Sequence, residues 1–277
     1  LCNLTNLGWE VREAEICQLL NLKYFELVND FCALIYSIPF LKPNQFVQIQ
    51  SRQNGHIDYG IAAVIGAGTG LGVARGFLED NKILALPSEG GHQEFAPRTT
   101  KEWELCNWLK SDLNIDRVSI ERIVSGTGLG NVARWRLNQS DAIFHPLRKI
   151  ADTWNASTKK HLDLPALVSQ TAKNGDPIMN EVLEIWLSAY GSVAGDLALQ
   201  ELCQAGLWIA GGTAAKHLQG ISSGIFLKAL RNKGRFQKYL TELPVMAIVD
   251  PEIGLFSAAC RTRMIAESSE KLTGIDA

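Results

Sequence analysis

From Ile61 to Leu86 the chain reads as three apolar runs joined by two short connections. Ile61 to Ile65 enters the loop GAGTGLG (Gly66 to Gly72), Val73 to Leu78 follows, and Asp80-Asn81-Lys82 turns the chain into Ile83 to Leu86. Branched apolar runs on either side of a glycine-rich turn predict strands joined as a hairpin. That excludes two common nucleotide loops. Counted from Gly66, the third glycine of a dinucleotide fingerprint falls on Leu71; counted from Gly68, it falls on Val73. Such a loop would also open a helix, not a second strand. No Gly-Lys-[Ser/Thr] follows at Walker spacing either. Two readings remain. The segment is a tight hairpin with no ligand, or one whose backbone N–H groups, with the Thr69 hydroxyl, cradle phosphate oxygens.

The rest of the chain alternates helices and strands. A helix around Val11 to Leu20 precedes an expected strand, Tyr24 to Val28, with Asn29 and Asp30 at its carboxyl end, where open α/β sheets place ligands. Pro39, Pro43 and the polar stretch Ser51 to Asp58 mark a crossing into a second lobe. Thr99 and Glu102 form a capping box for a helix over Lys101 to Leu113. Asn174-Gly175 ends one helix, and Asp176-Pro177 supplies N-cap and N1 for a long one reaching about Leu202. Met179, Val182, Leu183, Trp186, Tyr190, Val193 and Leu197 recur on it at helical spacing, the mark of a buried core helix. A strand over Leu207 to Ala210 ends in Gly211-Gly212, and a strand over Val245 to Val249 precedes a helix from Leu255 to Glu267.

Composition removes several function classes. A net charge of −2 over 277 residues gives no general basis for gripping a nucleic-acid backbone. No apolar run reaches the roughly 18–20 residues that span a bilayer. The six cysteines are scattered with no C-x-x-C pair, so they read as free thiols in a reducing compartment and not as a metal site.

The polar candidates cluster in three segments. LPSEGGHQEFAP (Leu86 to Pro97) sets Glu89 and His92 around two glycines, leaving both side chains free to converge on a small ligand. A carboxylate accepts hydrogen bonds and an imidazole can both donate and accept, so the pair suits a polar ligand. Asp30, in FELVNDF, is either a turn and cap residue or a carboxylate able to take a hydroxyl proton. Glu121, in IERIVSGTGL, is either a solvated charge paired with Arg117 or Arg122, or a further ligand.

These segments, with LWIAGGTAAK (Leu207 to Lys216) and NKGRFQKYL (Asn232 to Leu240), resemble the bacterial glucokinase family over nearly the whole chain. The resemblance implies a two-lobed α/β fold of the actin-like (ribonuclease H-like) sugar kinases, with residues 1–40 plus 254–277 in a smaller lobe and 41–253 in a larger one. It implies ATP-dependent phosphorylation of glucose to glucose 6-phosphate, the first step of glycolysis, in the cytoplasm. Asp30 would be the catalytic base, with Asn29, Asp30, Glu89, His92 and Glu121 on glucose. Gly66, Gly68, Thr69 and Gly70 would form the second phosphate loop, and Gly211 and Gly212 would meet adenosine. Mg²⁺ would arrive with ATP and need no dedicated site; nucleic acid and membrane are not expected partners, and a homodimer is admitted.

Three departures stand out. Only Cys106 follows the EGGH segment, so the zinc-holding cysteine cluster of related sugar kinases and repressors is not expected. Thr127, Thr213 and the insert-like stretch Phe144 to His161 differ from the usual pattern. The family's opening strand–turn–strand, Asp-Ile-Gly-Gly-Thr, has no counterpart before Cys2, so about 60–80 further residues, and the rest of the smaller lobe, are expected upstream. The alternative reading is a catalytically silent sugar-binding relative; Asp30 argues against it, because binding alone needs no base.

Overall fold

The computed structural model describes residues 2–3, 10–51, 59–79, 82–154 and 163–273. The expected turn at Asp80-Asn81, most of the Ser51 to Asp58 crossing and the end of the Phe144 to His161 stretch lie outside the described residues.

Two residue pairs, β1 (Cys2–Asn3) and β2 (Glu10–Val11), form a small antiparallel ladder. The main sheet contains β3 (Phe46–Gln50), β4 (Gly60–Ala67), β5 (Leu71–Glu79), β6 (Lys82–Ser88), β7 (Leu207–Ala210) and β8 (Val245–Ile248), in the order β3-β8-β7-β4-β5-β6. β4, β5 and β6 are antiparallel neighbours, whereas β7 runs parallel to β4 and to β8. β4, β7 and β8 are apolar throughout, as strands covered on both faces require. The register sorts them by parity: Ala63, Ile65, Leu207 and Ile209 face one core, and Ala62, Val64, Trp208 and Ala210 face the other.

Helices fill both faces. α1 (Glu13–Leu20) and α2 (Asp30–Ser37) precede the sheet; α3 (Thr100–Leu113), α4 (Gly126–Leu137), α5 (Arg148–Thr153), α6 (Leu164–Lys173) and α7 (Pro177–Glu201) lie between β6 and β7. α8 (Gly212–Lys216), α9 (Leu218–Ile221), α10 (Gly224–Arg231) and α11 (Gln237–Glu242) link β7 to β8, and α12 (Ile253–Thr273) follows. The larger core holds α7 between the sheet and α4, α6 and α10. α2 and α12 pack together on the other face, where Ser257 Oγ donates to Ser37 Oγ at 3.0 Å in a buried contact. α2 rests on β4, β5 and β6 themselves.

Asp176 caps α7 by accepting from Met179 N at 2.8 Å, with Pro177 in the first turn. α7 is the one described helix long and apolar enough to cross a membrane, a length the apolar-run reading missed. Its buried face, with Met179, Val182, Trp186 and Tyr190 fully enclosed, is that of a core helix. Thr99 caps α3, accepting from Glu102 N at 3.2 Å. The capping box is only half made, because the Glu102 carboxylate turns instead to the backbone N–H and guanidinium of Arg98.

Two expectations are corrected. Tyr24 to Val28 takes no regular structure and pairs with no described strand; it is tied by Leu27 N donating to Glu13 Oε1 at 3.0 Å and by Arg261 pairing with Glu26. Asn29 and Asp30 therefore begin α2 instead of ending a strand. The strand β3, in the stretch read as a crossing, was missed; its signal was the alternation of FVQIQ.

Candidate active site

The strands β4 and β5 pair from Gly60↔Leu78 to Ala67↔Leu71, leaving Gly68, Thr69 and Gly70 as the turn. Gly66 thus belongs to a strand, where it pairs with Gly72. Its lack of a side chain serves packing: a Cβ there would lie 2.7 Å from Phe31 Cε1, and one at Gly72 would overlap the same ring. Phe31 follows Asp30 directly. The glycine pair therefore seats the first turn of α2 on the hairpin.

At that helix start both sequence alternatives coexist. Asn29 is the N-cap, its Oδ1 accepting from Phe31 N at 3.0 Å and Cys32 N at 3.1 Å. This leaves its amide N–H₂ free to donate. Asp30 Oδ1 accepts from Phe31 N at 2.9 Å, and the residue is exposed. Burial, and then the Asp30 charge, push the Cys32 thiol up, which keeps it protonated beside the site.

On the other side of the hairpin, Glu89, His92 and Glu121 come together. His92 Nε2 lies 3.8 Å from Glu89 Oε2, and His92 Nδ1 lies 3.9 Å from Glu121 Oε1. Both separations exceed a hydrogen bond. The three polar groups face one another without consuming one another. Gly90 to His92 form a 3₁₀ turn, neither glycine takes a positive φ, and a Cβ on Gly91 would overlap Leu71 O. The glycines serve close approach to the hairpin and not an unusual turn. Arg117 Nη1 donates to His92 O at 2.8 Å and Ile120 N to Gln93 O at 2.8 Å, locking this segment to the one carrying Glu121. Glu121 pairs with neither arginine. Its Oε2 accepts from Leu71 N at 3.1 Å.

The hairpin turn is held from several directions. Gly126 N, opening α4, donates to Gly68 O at 2.7 Å, which brings the positive end of a 12-residue helix to the loop. The Tyr190 hydroxyl accepts from Ala67 N at 3.3 Å and donates to Ile65 O at 3.4 Å, and complete burial pushes its ionisation up. Thr213 donates its hydroxyl to Ala67 O. Gly211 has φ +85°, and a Cβ there would lie 2.8 Å from Ala67 O; Gly212 faces open space. The nucleotide candidates thus abut the hairpin on the side away from Glu121. Phe31, Tyr190 and Thr213 were not singled out as site supports from sequence. Tyr190 was visible only as part of the apolar stripe, and Phe31 only as part of FELVNDF.

A glycine hairpin flanked by a helix start that carries Asp30 and by an acid–imidazole–acid cluster is a candidate site for a sugar kinase of the actin-like ATPase fold. Comparison with known proteins is specific on this point. A family model described as Glucokinase matches residues 1–265. The glucokinase of Trichormus variabilis is 38% identical over 269 residues, covering 94% of this chain and 78% of that protein. For the glucokinase of Synechocystis the figures are 36% over 265 residues, 93% and 74%. A crystal structure of glucokinase from an Antarctic psychrotroph matches with a TM-score of 0.74 at 30% identity, covering 92% of this chain and 74% of that one. The chain belongs to the glucokinase family. A ROK family glucokinase from Streptomyces griseus, solved with glucose and AMPPNP, shares the fold at 20% identity and a TM-score of 0.53, covering 89% of this chain and 70% of that one.

Proposed function

We propose that this chain phosphorylates glucose with ATP, using Asp30 as base, Asn29, Glu89, His92 and Glu121 as sugar ligands, and the Gly68–Gly70 turn as a phosphate cradle. The observation that carries the reading is the hairpin itself, with the start of α2 seated on Gly66 and Gly72 and Glu121 bonded to Leu71 N. One element thereby supports the groups for both substrates.

The chemistry asks little covalent work of the protein and much positioning. The Asp30 carboxylate takes the proton of the attacking hydroxyl as its oxygen bonds to the γ-phosphorus. The bond from that phosphorus to the bridging oxygen breaks, and ADP leaves. Thr69 and Gly70 donate to phosphate oxygens, while the Gly68 N–H donates to Gly70 O at 2.8 Å and closes the turn, and the start of α4 adds its positive end. Gly211 and Gly212 lie where adenosine would approach the backbone, Gly66 supporting the loop from within β4. Mg²⁺ enters this proposal with ATP. It would be held mainly through phosphates and water; when bound, it neutralises phosphate charge.

The lobe division at about residues 40 and 254 belongs to the same proposal, with α2 as junction. So does a cytoplasmic location, supported by the free thiols Cys17, Cys32, Cys106, Cys203 and Cys260. So does a homodimer, for which the edge strand β6, beside exposed Phe77, Leu84 and Leu86, offers a face. An ADP-release assay tests the reading. Release should require glucose and ATP together; no release with both saturating would overturn it.

A further inference from the structure

We infer that Glu121 is a positioning residue as well as a sugar ligand, and that it couples occupancy of the sugar site to the shape of the phosphate hairpin. This rests on the function proposed above. The two carboxylate oxygens have different duties. Oε1 is the one turned to His92, across 3.9 Å of open separation, whereas Oε2 accepts from Leu71 N at 3.1 Å. The carboxylate lies so close against the turn that a Cβ on Gly70 would overlap Oε2. The side chain is 27% exposed, so it lies at the surface of the site and is not sealed in the core.

The backbone around Glu121 makes this more than one contact. Ser125 Oγ donates to Glu121 O at 2.7 Å, and Gly126 N donates to Gly68 O at 2.7 Å. A single short segment, 121–126, therefore brackets the turn, gripping Gly68 O where the chain enters and Leu71 N where it leaves. Trp186 Nε1 donates to Ser125 O at 3.1 Å from the fully buried face of α7, so the segment is braced on the core. Against a fixed backbone, the mobile part is the carboxylate. A sugar hydroxyl that donates to Oε1 fixes the carboxylate's orientation, and with it the acceptor that holds Leu71 N. A turn ordered in this way meets phosphate at a lower ordering cost, and by linkage the nucleotide tightens sugar by the same factor.

The hairpin supplies the test, because two glycines of one turn differ in what they touch. At Gly70 an added Cβ displaces the Glu121 carboxylate; at Gly68 the nearest atom is Gly70 O at 4.0 Å. Neither has a positive φ, so both alanines suit the backbone. Calorimetric glucose titrations, with and without AMPPNP, would be run on the unaltered enzyme, Gly70→Ala, Gly68→Ala and Glu121→Asp. In the unaltered enzyme AMPPNP should tighten glucose about fivefold or more, and glucose should tighten AMPPNP equally. Gly70→Ala should weaken glucose about fivefold more than Gly68→Ala does, and should abolish the mutual tightening. Glu121→Asp, too short to serve both contacts, should abolish it too. Equal glucose affinities in the two alanine variants, or tightening retained in Gly70→Ala, would overturn the inference while leaving the proposed function standing. An unaltered enzyme that binds AMPPNP but no glucose would overturn both.

Discussion

The two flanks of the hairpin are built differently. On the sugar side, the segment carrying Glu89 and His92, the segment carrying Glu121 and the turn are joined through main chain, by Ile120 N on Gln93 O and Gly126 N on Gly68 O, with Gly91 packed closely against Leu71 O. On the base side, residues 24–29 pair with no strand among the described residues, and Asp30 is placed by one helix cap and one phenyl ring. In the proposed site, main chain frames the sugar ligands and side chains place the base. Substitutions on the sugar side that leave the backbone alone should therefore change affinity without changing the fold. On the base side, a single support residue should matter to both position and stability.

The largest expected effect separates base from clamp. Asp30→Asn keeps the helix start, since Asn29 is the cap, and should lower kcat by roughly 10²–10⁴-fold with an unchanged melting temperature. Steady-state rates and thermal melts on the same preparation check it. Unaltered turnover would remove Asp30 from the chemistry.

Next comes the seat of α2. Gly72→Ala places a methyl in the Phe31 ring and should cost about 1–3 kcal/mol by overpacking. Adding Phe31→Ala should give back part of that loss, a coupling of at least about 0.5 kcal/mol in a double-mutant cycle. Strict additivity in denaturant melts would mean that the ring does not position the helix.

The sugar clamp is expected to lie lower still in stability and purely in affinity. Glu89→Gln and His92→Asn alter side chains that are 86% and 59% exposed. Each should weaken glucose roughly tenfold through a lost charge-assisted or imidazole hydrogen bond, with melting temperature unchanged. Glucose titration beside a thermal melt distinguishes that from a folding defect.

Much of this was legible in sequence because the hairpin's constraints are local. Alternating apolar runs fixed β4 to β6, and Asp176-Pro177 fixed the start of α7. The EGGH and IERIVSG segments named the residues that converge. What escaped was whatever depended on distant partners. Tyr24 to Val28 has strand composition, yet a strand exists only where another chain segment pairs with it. The glycines of GAGTGLG could be read as a phosphate cradle, but their second role, making room for Phe31, needs a contact more than thirty residues away in the chain. Glu121 carried a helix-charge alternative until the Leu71 N–H was placed beside it. Glu102 shows the reverse: its capping-box spacing was right, and a neighbouring arginine took the carboxylate.

The smallest expected effect concerns the nucleotide side. His217 follows the Gly211-Gly212 segment, packs against the Trp186 ring and sits 3.3 Å from Ser169 Oγ. Burial, and then Lys216, hold its pKa below the ordinary 6.5. Above pH 6.5 neither folded nor unfolded chain protonates it, so it leaves stability unchanged. As the pH falls below 6.5 the unfolded chain binds the proton first, and stability drops until the lower folded value is reached. The lowered carboxylate of Asp176 acts well below that window. His217→Gln should therefore flatten the decline in melting temperature that sets in as the pH falls below 6.5. An identical slope in both proteins would show that another group sets it.

The division between a main-chain-held clamp and a side-chain-held base is tested most directly by titrating glucose into Asp30→Asn and following a single turnover on the same sample. The account predicts a glucose affinity within about threefold of the unaltered enzyme, with phosphoryl transfer slowed at least about a hundredfold. Loss of glucose binding in step with loss of transfer would contradict it.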